Sequence, residues 1–451
     1  MLPSLSAPMA PMAPIAAPTL LIFLLQVGLL LMLALALGRL ATRLGMPALV
    51  GELFVGVILG PSFLAWAAPD LQRWLFPANP EQFHLLDAVG QIGVLLLVGL
   101  TGMHMDMGLV RRRGGTAAGI SLGGLAIPLG LGIGAGFLLP GSLIPQGVDA
   151  TVFSLFLGVA MCVSAIPVIA KTLMDMKLLH RNIGQLTLTA GMIDDAFGWL
   201  MLSIVSAMAV HAVSTGTVLT SVGYLIAIIV FALTLGRPLV RGVLRLTDTS
   251  GDSGPTVAAA AVLILLASAG THALGLEAVF GAFVVGILIG TAGKVDPSKL
   301  APLRTVVLSG LAPIFFATAG LRMDLTSLVR PEVLLAGLAV LAIAIIGKFL
   351  GVYAGARLSR FNKWEALALG AGLNARGVIE VVVAMVGLRL GILSVEAYTI
   401  VLLVAIVTSL MAPPILRIAM ARVEQTAEEE IRESDHRAWT MQPVRGTDPV
   451  L

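Results

Sequence analysis

The chain is short of charge and almost without cysteine. Only 12% of its 451 residues are Asp, Glu, Lys or Arg, while 58% are hydrophobic. Soluble domains carry about 25% charged residues. A folded soluble protein of this length could not cover its surface with half that share, so an ordinary soluble enzyme is excluded. The same imbalance excludes a disordered chain and a nucleic-acid binder. One cysteine, Cys162, excludes an intrachain disulfide and a Cys-based metal site. In its apolar segment it reads as a small packing residue. No basic residue precedes Arg39, although Pro3, Pro8, Pro11, Pro14 and Pro18 crowd the N-terminus. A secretory signal has a positive start, so residues 1–18 read as a short uncleaved leader.

What remains is an all-α polytopic membrane protein. A span needs roughly 20 mostly apolar residues. Thirteen such segments are predicted, near 19–39, 47–67, 85–105, 115–139, 150–175, 183–209, 217–236, 255–273, 276–292, 305–320, 333–356, 364–388 and 394–416. Residues 19–422 form the transmembrane domain. Residues 423–451, acidic and without apolar period, read as a disordered cytoplasmic tail. With the N-terminus outside, nineteen Lys and Arg fall in inner loops and four in outer ones. That bias predicts N-terminus out and C-terminus in, as a multi-pass protein of the plasma membrane.

A charge at mid-bilayer costs about 2.5–3.5 kcal/mol, so each one retained there needs a reason. Asp194 and Asp195 lie in the sixth segment, Lys348 in the eleventh, and Arg376 with Glu380 in the twelfth. Adjacent carboxylates project about 100° apart on a helix and cannot both face lipid. Two carboxylates so close repel, which favours proton retention on one of them. That chemistry suits a site that exchanges a proton for a monovalent cation. Lys348 is expected to pair with a carboxylate on another span, Asp194 or Asp195, or else to act as a purely structural tie. Arg376 and Glu380 stand at i and i+4 and share a helix face. They form either a local ion pair or part of a broken helix, since Gly370, Gly372, Asn374 and Gly377 crowd the same stretch. Pro167 with Ser164 marks a matching break in the fifth segment. Two interrupted spans of opposite direction point to an inverted-repeat transporter with a midplane site.

Weaker candidates are read conservatively. Glu52 is placed at an interface. Asp87 and Glu277 are placed on solvated span ends, and His104, His211 and His272 near ends without a ligand role. GIGAGF at 132–137 lacks the βαβ context of a dinucleotide site. No Walker motif or metal cluster is present in the sequence, so no cofactor is expected.

Several stretches carry a resemblance to a known family. They are RLGMPALVGELFVGVILGPS at 43–62, CVSAIPVIAKTLMDMKLLHRNIGQLTLTAGMIDDAFGW at 162–199, FGAFVVGILIG at 280–290, LAPIFFATAGLRMDL at 311–325, and KFLGVYAGARL followed by ALGAGLNARGVIEVVV. The chain resembles the cation:proton antiporter-2 family, which includes Kef-type potassium efflux systems and plant and fungal cation/H⁺ exchangers. The resemblance implies a thirteen-span fold, usually dimeric, with a core sliding against a dimerisation unit and unwound fifth and twelfth spans. It implies that Asp195 binds Na⁺, K⁺ or H⁺, that Asp194 pairs with Lys348, and that Ser164 stands where a threonine is frequent. Arg376 and Glu380 match the family's charged positions at the second break. His104 departs from the family, which often has glutamate there. The expected function is monovalent cation/proton antiport by a homodimer in a lipid bilayer. Alternatives are transport of another solute, or an ion-sensing or channel-like role.

Overall fold

The computed structural model describes residues 15–77, 79–105, 107–210, 215–247, 252–291 and 297–430. All regular structure among them is helical, and each of the thirteen apolar segments is found as a helix or an interrupted helix. The helices are α1 (Ala17–Arg43), α2 (Ala48–Leu59), α3 (Pro80–Met103), α4 (Met107–Leu138), α5a (Ala150–Cys162), α5b (Ile166–Asp175) and α6 (Asn182–Val210). There follow α7 (Thr215–Phe231, a π-turn Ala232–Gly236, then Arg237–Thr247), α8 (Gly254–Ala273) and α9 (Ala278–Thr291). Next come α10 (Ala301–Val306, a π-turn Val307–Leu311, then Ala312–Leu321), α11 (Pro331–Leu358), α12a (Lys363–Leu373), α12b (Val378–Arg389) and α13 (Val395–Met420). Among the described residues, ten are long and apolar enough to cross a membrane, and α12a with α12b, bent by 45°, makes an eleventh. The fifth segment reaches the expected length only as α5a and α5b together, the second only with the turn and short helix after α2 (Ala48–Ala67), and α9 falls short with 14 residues.

Local chemistry sets many of the starts. Proline stands in the first turn of α1, α3, α8 and α11, where no intrahelical N–H bond is lost. Asn362 and Glu365 form a reciprocal capping box at α12a, and Asp149 caps α5a through the Thr151 amide at 2.6 Å.

The helices pack in two groups. α1, α2, α3, α8, α9 and α10 pack on one another, as do α4, α5, α6, α11, α12 and α13. An internal repeat underlies this arrangement. Residues 44–60 and 274–290 match at Leu, Gly, Ala, Gly, Val, Gly and Gly, always 230 positions apart. Both stretches turn on a glycine with positive φ, Gly45 at 76° and Gly275 at 74°. Each turn closes alike, with the Met46 amide on Ala41 O and the Leu276 amide on Thr271 O. Only glycine adopts that backbone cheaply at a helix end. The glycines of α2 and α9 then admit neighbouring backbones. A Cβ on Gly51 would meet Leu37 O at 2.2 Å, and one on Gly281 would meet Ala267 O at 2.4 Å.

The leader and tail readings are only partly visible. α1 starts at Ala17, while residues 1–14 and 431–451, and His211, lie outside the described residues. The stretch 423–430, assigned above to the tail, packs on the α5b–α6 turn. There Glu429 is buried and pairs with Arg181 at 3.2 Å.

Candidate ion-binding site

The site forms where α4, α5, α6, α11 and α12 meet. Its assembly depends on a close crossing of α4 and α11, in which a Cβ on Gly351 would meet Gly123 O at 2.1 Å. Small residues let helix backbones touch inside a membrane. The contact brings Ser121 and Lys348 to opposite sides of Asp194, itself fully buried on α6. Ser121 donates to Asp194 Oδ1 in a short hydrogen bond. Asp194 Oδ2 accepts from Lys348 Nζ and from Ser164 Oγ, both at 2.7 Å. Lys348 Nζ also donates to Cys162 O at 2.7 Å, the last residue of α5a. An ion pair with no solvent exposure survives when other hydrogen bonds support it, and here both Asp194 oxygens and Lys348 Nζ have such partners.

Asp195, the next residue, is equally buried but differently served. Neither of its carboxylate oxygens has a hydrogen-bond partner. The backbone amide of Ile166, the first residue of α5b, faces it as a donor. Helix N-termini favour negative charge. Asn374, at the C-cap of α12a, is likewise buried with both side-chain polar atoms unpartnered. Leaving such groups unpaired costs about 1–3 kcal/mol each, and more for a charge.

The two breaks cross through hydrogen bonds. The Ala165 amide donates to Ala375 O at 3.1 Å. Ser164 Oγ lies 2.8 Å from Leu373 O as well as 2.7 Å from Asp194. A hydroxyl has one proton, so Ser164 serves one acceptor at a time. Arg376, in the second break, reaches across to the first. It donates to Ala160 O at 3.0 Å, to Met161 O, to Ala344 O at 3.3 Å and to Glu380 Oε1 at 3.1 Å. Three consecutive carbonyls at the C-terminus of α5a, those of Ala160, Met161 and Cys162, thus face two cations. That is the charge a helix C-terminus favours. Glu380 sits in the first turn of α12b, the end that favours an anion.

The structure therefore brings together Asp194, Lys348, Ser164, Arg376 and Glu380, with Asp195 and Asn374 beside them. Of the two partners left open for Lys348, it takes Asp194. Arg376 and Glu380 are both a local pair and part of a break. Pro167 does not kink a continuous helix. The chain is already interrupted at 163–165, and Pro167 falls in the first turn of α5b, where its missing donor costs nothing. The placement of Glu277 on a solvated end is wrong, because its side chain is 7% exposed and accepts from Arg389 at 2.8 Å. Asp87 takes both oxygens to Arg322, at 2.7 and 2.8 Å. Glu52 is half-buried beside Gly38, and His104 Nδ1 lies 2.7 Å from Leu100 O. Sequence reading missed Ser121 and the carbonyl of Cys162. The repeated glycines of α4 and α11 were the available signal for Ser121; a backbone carbonyl leaves none.

Residues 28–422 match the family model described as sodium/hydrogen exchanger, transmembrane. Among curated proteins, the chain is 32% identical over 400 residues to the Na⁺/H⁺ antiporter NhaS4 of Synechocystis sp., covering 88% of this chain and 97% of that one. It is 29% identical over 418 residues to cation/H⁺ antiporter 18 of Arabidopsis thaliana, covering 92% of this chain and 51% of the relative. The chain thus spans about half the length of that plant relative. A solved sodium proton antiporter, MjNhaP1 of Methanocaldococcus jannaschii, superposes with a TM-score of 0.65. It is 18% identical, over 90% of this chain and 100% of its own, a likeness of fold.

Proposed function

This chain belongs to the transmembrane sodium/hydrogen exchanger family, and we propose that it exchanges Na⁺ or K⁺ for H⁺ by alternating access, with Asp195 as the carboxylate that binds cation and proton in turn. The observation that carries this reading is the pair of buried, unpartnered oxygens on Asp195 beside the helix breaks. A cation supplies the partner they lack; so does a proton. Binding the one releases the other, which is the coupling an antiporter needs. Asn374, whose side-chain polar atoms are also unpartnered, is a further oxygen donor for a hard-cation shell. Asp194 stays tied to Lys348 and holds the local charge balance while Asp195 changes occupant. Movement of the α4–α6, α11–α13 group against the other six helices then exposes the site to the opposite side.

The protein works in this reading as a homodimer in the plasma membrane, N-terminus outside. The alternation of Lys and Arg between loops supports the orientation. Proteoliposomes with a pH-sensitive dye test the function. A preformed pH gradient should dissipate on addition of Na⁺ or K⁺ but not choline. Asp195→Asn should abolish the response, and wild-type flux from that variant would overturn the assignment.

A further inference from the structure

Away from the ion site, a cavity of about 500 Å³ lies between α7, α8 and α9. Phe231, Leu239, Val240, Leu266, Gly270 and Leu288 are among its lining residues, and none of those that line it is ionisable. It opens to the outside of the helix bundle, since Leu239 and Leu266 are 56% and 66% exposed. Two features of the backbone make the room. The π-turn at Ala232–Gly236 displaces the two parts of α7, a device often found at functional sites. Gly270 faces the gap, for a Cβ added there would meet nothing within 4 Å.

Directly after the π-turn, Arg237, Arg241 and Arg245 recur every four residues and share one stripe. Val240 and Leu244 of the same helix are buried. Among the described residues, none of the three arginines has an ion-pair partner, and Arg241 Nε is buried without an acceptor. The α7 wall of the groove, Gly236, Leu239 and Val240, is interleaved with Arg237 and Arg241 on the adjoining face of the same helix, and an apolar groove flanked by arginines is complementary to a molecule with an acyl chain and an anionic head. The dimensions agree. From Leu263 to Leu274 the α8 wall runs about 16 Å, close to half of a hydrocarbon core about 30 Å thick. A second copy of the chain fits less well, because a two-fold contact here would set each arginine stripe near its own image.

The geometry points to a phospholipid site: the groove between α7, α8 and α9 holds one acyl chain, and Arg237 with Arg241 holds the anionic headgroup. Native mass spectrometry of the delipidated full chain tests this, with phosphatidylglycerol or phosphatidylcholine as probe. Wild-type protein should retain phosphatidylglycerol in preference to phosphatidylcholine. The double variant R237Q/R241Q should bind phosphatidylglycerol about 30-fold more weakly and lose the preference. Gly270→Phe, which fills the groove, should lose both lipids. Unchanged phosphatidylglycerol binding in either variant overturns the proposal. So does a Gly270→Phe protein that changes from dimer to monomer without losing lipid, since the groove would then be an interface between copies.

Discussion

The fifth and twelfth spans are both broken, but their breaks are built from opposite materials. The break in α5, residues 163–165, carries no charged side chain. Its exposed helix end is served from outside, Cys162 O by Lys348 and Ala160 and Met161 O by Arg376. The break in α12 carries its own arginine, yet the freed carbonyls of Leu373 and Ala375 meet only neutral donors, Ser164 Oγ and the Ala165 amide. One broken helix is charge-compensated by its neighbours and the other lends charge away. The two breaks meet in one crossing, while the chemistry is divided between them.

That division is open to attack at Arg376 first. Arg376→Ala strips α5a of its guanidinium and leaves Glu380 buried alone, a loss of about 3–5 kcal/mol. Thermal unfolding in detergent should show the largest fall of any single variant at the crossing. Arg376→Lys should recover little, because an ammonium cannot reach several carbonyls at once with a planar fork. If Arg376→Ala unfolds no earlier than Lys348→Ala, the two breaks do not differ as described.

Lys348→Ala ranks next. It leaves Asp194 with two hydroxyl donors and no countercharge. Combining it with Asp194→Asn should restore part of the loss, with a coupling of about 1–3 kcal/mol in a double-mutant cycle. Strict additivity would mean that the pair is not a unit.

Ser164→Ala sharpens the comparison on the neutral side. It removes one hydrogen bond that serves Asp194 or Leu373 O, and a loss of about 1 kcal/mol is expected. Because Ser164 lines the first break beside the site, the cation concentration at which flux is half-maximal in proteoliposomes should shift as well. A stability loss without a shift would make Ser164 a tie between breaks only.

The smallest effect is expected at Glu429, far from both breaks. Burial by itself raises this carboxyl, but the amides of Thr426 and Asn182 and the Arg181 guanidinium outweigh it and hold the group below the ordinary glutamate range. A carboxylate depressed in the folded state contributes stability at neutral pH and loses it as pH falls through its folded value. The melting difference between wild type and Glu429→Gln should be full at pH 7 and vanish in acid. A difference that persists in acid would separate the contact from charge.

Much of this was legible in one dimension. Apolar runs of about twenty residues announce helices, because lipid leaves a backbone no other way to satisfy its polar groups. Positions of Asp194, Asp195, Lys348, Arg376 and Glu380 stood out because charge is costly at membrane depth. Less legible was the difference between Asp194 and Asp195. Their neighbours in sequence are shared, and only the direction of each side chain separates a saturated carboxylate from an orphaned one. Glu277 was misjudged for a related reason, since its partner Arg389 lies 112 residues away.

By itself, then, the sequence determined the class of protein, the number of apolar segments and the few charged side chains that lie at membrane depth, since composition and hydropathy act locally along the chain. Only the tertiary structure decided which carboxylate Lys348 neutralises, that Arg376 caps the other broken helix, and that Ser121 belongs to the site. Those choices depend on how closely glycine-lined helices approach and at what register, a property of two surfaces in contact that neither surface encodes alone.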